Sequence, residues 1–296
     1  MFKRFTTLSV ACCLTFMSFT VLAQGKKTVV VDPAKTGPDY AVQGEYVGAL
    51  PGLGNGVLGI QVIALGDGKF RGVATMGGLP GAGWKRGDMT KVSEASREGD
   101  VTILKYPKDE VVVTIKDGTA SVVLAGEKVG DLKRVVRKSP TLGAKPPTGA
   151  TVLFDGKSAD QFVRGQVVME NLLRHDCESK QKFGDHSLHL EFRTPFLPHA
   201  RGQGRGNSGM YIQGRYEVQV LDSYQNPTYA DGQAAAIYGQ KPPLINVTRP
   251  PGQWNVYDIV FIAPRFKDDG TVASPARLTV VHNGVVVQLD EALLGP

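Results

Sequence analysis

From Gly56 onward the chain alternates apolar and polar positions with a period of two, in short runs closed by turn residues. VLGIQVIALGDGKFRGVATMGG reads as two strands separated by Gly66-Asp67-Gly68, a hairpin signal. VTILKYPKDEVVVTIKDGTASVVLAG continues the pattern, turning at Lys108-Asp109 and again at Asp117-Gly118. Residues 24–137 are therefore expected to form a small antiparallel β domain, with an irregular entry through DPAKTGPDY. Residues 138–150, KSPTLGAKPPTGA, concentrate proline, glycine and small polar residues and read as a linker. A second domain, 151–296, opens with TVLFDGKSADQF, in which Asp155-Gly156 marks a turn. In SLHLEFRTPF, Leu188, Leu190 and Phe192 share one side, and His189, Glu191 and Arg193 the other. Residues 204–223, GRGNSGMYIQGRYEVQVLDS, read as a glycine-rich turn feeding one long strand. Met210, Ile212, Val218 and Val220 take its apolar phase. Tyr211, Gln213, Arg215, Glu217 and Gln219 take the polar one, provided Gly214 does not break the register. A long polar, proline-rich crossing precedes a strand at 254–262, and a crossing of that length commonly forms a binding wall or lid. ARLTVVHNGVVVQ is a final hairpin around Asn283-Gly284, suited to a type I′ turn. No long helical period competes, so the chain is all-β.

Composition agrees with this pattern. The 296 residues are 42% apolar, enough for one large core or two moderate ones, and 36 glycines and 18 prolines favour turn-rich β architecture. Residues 1–23 carry Lys3 and Arg4, an apolar run, and then Val21-Leu22-Ala23, the form of a secretory signal peptide. A periplasmic or secreted protein is expected. Removal of the signal leaves Cys177 as the one cysteine, so no internal disulfide staples the mature chain. The formal charge falls from +6 to +4 with the loss of Lys3 and Arg4, and the remaining basic residues are scattered among acids. That distribution argues against a nucleic-acid partner. Nothing after the signal is long and apolar enough to cross a bilayer as a helix.

The candidate chemistry lies in the polar rows. If the strands at 187–193 and 204–223 belong to one curved sheet, His189, Glu191, Arg193, Arg215, Glu217 and Gln219 share a concave surface rich in hydrogen-bonding groups, as a sugar cleft requires. A solvated outer face is the alternative that periodicity leaves open. His189, Glu191 and Glu217 are the ligands on offer if a divalent metal takes part, although no tight ligand spacing supports one. GGLPGAGW, residues 77–84, lacks the following helix that a phosphate-cradling loop needs, and Trp84 reads as its anchor. His282, beside the last turn, is expected to be solvated.

Five ordered segments, LFDGKSADQF, HLEFRTPF, RGNSGMYIQGRYEVQVLDSY, PPGQWNVYDIVFIAPRF and ARLTVVHNGVVVQ, together resemble the exported 3-keto-disaccharide hydrolase domain family, also described as 3-keto-glucoside lyase/hydratase. The resemblance covers about residues 150–296, with Phe162 where that family usually has tryptophan. It implies a concanavalin A-like (jelly-roll) β-sandwich with ligand on the concave face, and an oligosaccharide or glycoside as substrate. Family members usually continue past the last hairpin with a QDHG-like and then an RNIW-like segment. This chain stops at LLGP, so a missing strand is expected. The chemistry implied is proton abstraction at carbon 2 of a 3-ketoglucoside, β-elimination of the anomeric oxygen, and hydration. Glu217 or His189 would act as base or acid, and Arg193 or Arg215 as oxyanion partner. Asn207, Tyr211, Gln213 and Gln219 would bind hydroxyls, with Asp222 at the cleft rim. Two other classes stand beside this reading. A laminarinase-like glycoside hydrolase would use Glu217 and Asp222 as its carboxylates. A carbohydrate-binding module would use the same surface without chemistry.

Overall fold

The computed structural model describes residues 36–54, 56–169 and 171–295, so the stretch read as a signal peptide lies outside the described residues. After a short helix α1 (Pro38–Val42), eight strands follow: β1 (Gly44–Leu50), β2 (Gly56–Gly66), β3 (Lys69–Met76), β4 (Thr90–Glu98), β5 (Val101–Tyr106), β6 (Val111–Lys116), β7 (Thr119–Leu124) and β8 (Glu127–Val135). Each pairs antiparallel with the next in the chain, except that β3 reaches β4 across the 77–89 loop, and β1 closes the barrel by pairing with β8 as well as β2. One phase of each strand points inward. Tyr46, Ile60, Val62, Phe70, Leu104 and Ile115 are among the side chains that fill the interior. Alternation foretold the antiparallel unit but not its closure, because an open sheet and a barrel have the same period. The turns at Asp67-Gly68 and Asp117-Gly118 take positive φ at both positions, as a type I′ hairpin requires.

The second half holds a four-stranded antiparallel sheet, ordered β9 (His186–Arg193), β12 (Trp254–Ile262), β13 (Arg277–His282) and β14 (Val285–Ala292). A separate hairpin, β10 (Ser208–Ile212) and β11 (Tyr216–Val220), packs against it. Tyr216 lies 5.9 Å from Phe261 between ring centroids, and the Tyr257 hydroxyl crosses the core to donate to the Gln219 carbonyl at 2.7 Å. Ile212, Tyr216 and Val218 of the hairpin and Leu190, Ile259 and Phe261 of the sheet share one apolar cluster. The result is two antiparallel layers around a common core, in keeping with a β-sandwich. The single long strand expected over 204–223 is therefore a hairpin, because Gln213 and Gly214 both take positive φ and reverse the chain.

The two halves are joined by a polar and apolar seam. Phe196, from the second half, packs with the barrel's apolar cluster and meets Tyr40 edge-on at 5.3 Å. Tyr224 donates its hydroxyl to the Gly44 carbonyl at 2.7 Å, and the Gln225 amide reaches Gln61 at 2.6 Å. Within the first half, Arg137 grips the buried Glu45 carboxylate with two nitrogens, at 2.7 and 2.5 Å. The 77–84 loop docks on the second half: a Cβ at Gly81 would come within 2.9 Å of Val247 and 3.0 Å of Val285, so only a glycine fits that approach. The stretch read as a linker is also fastened down. Thr141 donates to Asp258 at 2.7 Å, and the Gly143 amide to Glu191 at 2.5 Å.

Candidate functional site

The hairpin places its polar row outward. Its three-residue turn, 213–215, pairs Tyr211 with Glu217 and Gly209 with Gln219, so the odd-numbered residues stay on one face although the chain reverses. Tyr211 donates its hydroxyl to a Glu217 carboxylate oxygen at 2.8 Å. The carboxylate lies flat over Gly209, where an added Cβ would meet it at 2.2 Å. That hydrogen bond, then desolvation and the Glu217 charge, raise the Tyr211 phenol above its ordinary range and keep it a donor. The crossing after residue 223 adds two more tyrosines. Tyr238 donates its backbone amide to the Glu217 carbonyl at 3.0 Å, and its hydroxyl lies 2.5 Å from that of Tyr229. Tyr211, Tyr229 and Tyr238 are 59%, 47% and 38% exposed, an open aromatic surface around one carboxylate. Such a surface stacks on and hydrogen-bonds a polyhydroxylated ligand.

Beneath this face a buried amide network fixes the loop. Gln219 is fully buried and donates to Gln203 at 3.0 Å; Asn207 donates to the same oxygen at 3.2 Å. Gln203 in turn donates to Thr228 and to the Gly232 carbonyl, both at 2.9 Å. Gln219 therefore supports the loop and is not at hand for a hydroxyl. Gln203, Tyr229 and Tyr238 were not singled out from sequence. For Tyr229 and Tyr238 the one signal is the length of the crossing loop; Gln203 lies in the turn before the hairpin, on which strand periodicity does not report. Gln213 occupies the turn, 3.4 Å from the Phe183 carbonyl, and Arg215 is exposed beyond it.

Asp222 does not stand at a cleft rim. It is fully buried, with Arg205 Nε at 2.5 Å and the Tyr224 amide at 3.2 Å, and Arg205 is itself fully buried. Burial pushes its carboxyl up against the pull of Arg205. It ties the 204–206 turn to the end of β11, and the pair Glu217 and Asp222 makes no two-carboxylate site.

The single concave surface expected from sequence is absent. Leu188, Leu190 and Phe192 of β9 point into the core shared with the hairpin, so His189, Glu191 and Arg193 point out of the opposite face of the sandwich from Tyr211 and Glu217. The expectation failed because alternation fixes two faces per strand but not which faces of separate layers coincide. On that second face His189 Nδ1 lies 2.6 Å from Asp258, and Nε2 lies 3.2 Å from Glu191. Desolvation works against its protonation, but the hydrogen bonds and charges of Asp258 and Glu191 prevail and raise it. Arg193 lies over the Trp254 ring at 5.3 Å. Glu217 is thus out of reach of His189 and Glu191, and the three do not form a common ligand set. Among the described residues, no group of three or more His, Cys, Asp or Glu is arranged to hold a metal ion.

His282 is likewise not the solvated turn residue expected. It is 1% exposed, lies 3.2 Å from Asn255, and burial followed by the nearby Arg249 charge lowers it to about 3.

The model of the 3-keto-alpha-glucoside-1,2-lyase-like domain matches residues 149–293. These residues belong to that family. A crystal structure described as a putative glycosyl hydrolase, from Parabacteroides distasonis, is 42% identical over 50% of this chain and 67% of its own, with a TM-score of 0.48. No curated protein matches the chain. Within the lyase-like domain fall both outer faces, the one around Glu217 and the one around His189. The barrel, residues 44–135, precedes the domain entirely, and so do Thr141 and Gly143, which cover the His189 face.

Proposed function

We propose that the chain is an exported carbohydrate-active enzyme that cleaves 3-keto-glucosides at the face around Glu217. The observation that carries this reading is a Glu217 carboxylate held by the Tyr211 hydroxyl on an open surface of three tyrosines, inside the lyase-like domain. Export is supported by the charged, then apolar, then small-residue order of residues 1–23.

The ketone at carbon 3 acidifies the hydrogen at carbon 2. Glu217 takes that proton, and the electron pair moves into an enediolate whose oxygen is met by tyrosine hydroxyls. The enediolate expels the oxygen on carbon 1, which leaves with a proton from Tyr211, and a double bond forms between carbons 1 and 2. Water then adds its oxygen to carbon 1 while carbon 2 regains a proton, for net hydrolysis. Tyr211 suits the acid role because the neighbouring carboxylate keeps it protonated.

Glu217→Gln removes the base but keeps the shape and one acceptor for Tyr211. Release of free sugar from a 3-keto-disaccharide is expected to fall about 10²- to 10⁴-fold, with binding retained. Normal turnover by this variant overturns the assignment. Cleavage of unmodified disaccharides by the parent protein would instead favour an ordinary glycoside hydrolase, and glycan binding without any turnover would favour a binding module.

A further inference from the structure

We propose that a cavity in the seam between barrel and sandwich binds a small aliphatic monocarboxylate. The cavity measures about 340 Å³, at the lower end of volumes that hold small ligands. One wall is the outside of the barrel. Because alternate positions of β2, β3 and β4 fill the barrel, Ile63, Arg71 and Glu94 fall outward, and the strand register sets them side by side across the three strands. The other wall is the turn carrying Arg201 and Arg205 and the segment from Gln225 to Pro227. Ile63, Leu65 and Val92 supply an apolar lining.

Two guanidinium groups on these walls have donors without partners. Arg205 is fully buried; its Nε is taken by Asp222, and one terminal nitrogen reaches the Ala64 and Leu197 carbonyls at 3.3 and 3.2 Å. Its other terminal nitrogen is buried with no partner, and so is Nε of Arg71. Orphaned guanidinium donors in a low-dielectric wall are costly, and a carboxylate is an acceptor that guanidinium groups bind with charge-assisted hydrogen bonds. Arg201 adds charge, although its terminal nitrogens are occupied by the Leu65, Pro198 and Ala200 carbonyls. Asp222 balances Arg205, and Glu94 lies opposite Arg71, so one positive charge is left uncompensated. That balance suits a monoanion over a phosphate dianion, and the apolar lining suits a short hydrocarbon body. Neither the family domain nor the Glu217 reading is needed for this site.

Titration calorimetry on the full chain with butyrate, butyramide and inorganic phosphate tests it. The expected result is saturable binding of butyrate, no binding of the neutral amide, and weaker binding of phosphate. Arg71→Gln should weaken butyrate binding about tenfold or more through the lost charged hydrogen bond, at an unchanged melting temperature. Val92→Trp, at a half-exposed position on the cavity wall, should block entry and act as a second variant if Arg71→Gln is unstable. An Arg205 variant is unsuitable, since it would leave Asp222 buried and unpaired. No saturable binding of butyrate, equal binding of butyramide, tighter binding of phosphate, or undiminished binding by both variants would overturn the proposal.

Discussion

His282 shows how one buried side chain sets the acid limit of the fold. It sits in the sandwich core against Phe192 and Tyr257, with Asn255 at 3.2 Å and the Arg249 charge nearby, and it stays neutral down to about pH 3. In the unfolded chain a histidine takes up its proton near pH 6.5. Between those values the unfolded state binds the extra proton, so stability is full above about pH 6.5 and falls as pH drops toward 3. His189 has the opposite sign: its raised value, caused by Asp258 and Glu191 against desolvation, stabilises below the unfolded value and is lost as pH rises through the folded one. His189 is more than a third exposed and its partners are screened, so the His282 effect governs the acid side. Urea midpoints measured from pH 7 to pH 4 should therefore fall for the parent protein and fall less steeply for His282→Gln. Parallel slopes for the two would remove His282 from this role.

At the scale of elements, the hairpin β10–β11 separates what sequence makes legible from what it does not. Asp67-Gly68, Asp117-Gly118 and Asn283-Gly284 were readable as turns because Asp and Asn tolerate positive φ and advertise it. Gln213-Gly214 adopts the same conformation, with φ of 54° and 65°, but glutamine gives no such signal, so one long strand was read where two exist. The facial assignment within that stretch holds because the three-residue turn, 213–215, keeps odd and even phases across the reversal. The site was half legible for the same reason. Tyr211 and Glu217 are brought together as alternation implied, whereas the joining of His189 to Glu217 needed knowledge of how layers stack, which is set by long-range packing. The turn gives a direct test. Gln213→Asn installs the preferred residue at a position that already has positive φ, and it should stabilise the fold by about 0.5 kcal/mol. A thermal melt reads this as a raised midpoint; a lowered one would mean that the Gln213 contact with Phe183 outweighs the turn preference.

At the scale of the whole molecule, the barrel and the sandwich behave as one folding unit if the seam is as well packed as its contacts imply. Phe196 belongs by sequence to the lyase-like domain, yet it is 5% exposed and packs with the barrel's apolar cluster. Around it, Tyr224 and Gln225 hydrogen-bond to barrel residues. Opening the seam would strand these groups, so neither half can unfold without exposing part of the other's core. Phe196→Ala removes most of a buried ring and should cost about 3–5 kcal/mol. The two tryptophans make the coupling measurable, for Trp84 lies in the barrel half and Trp254 on β12 of the sandwich. With Trp84→Phe and Trp254→Phe as the two reporter backgrounds, denaturant midpoints should coincide, and Phe196→Ala should lower both by the same amount. A shift confined to one tryptophan would show that the halves unfold separately and that the barrel is an independent neighbour of the lyase-like domain.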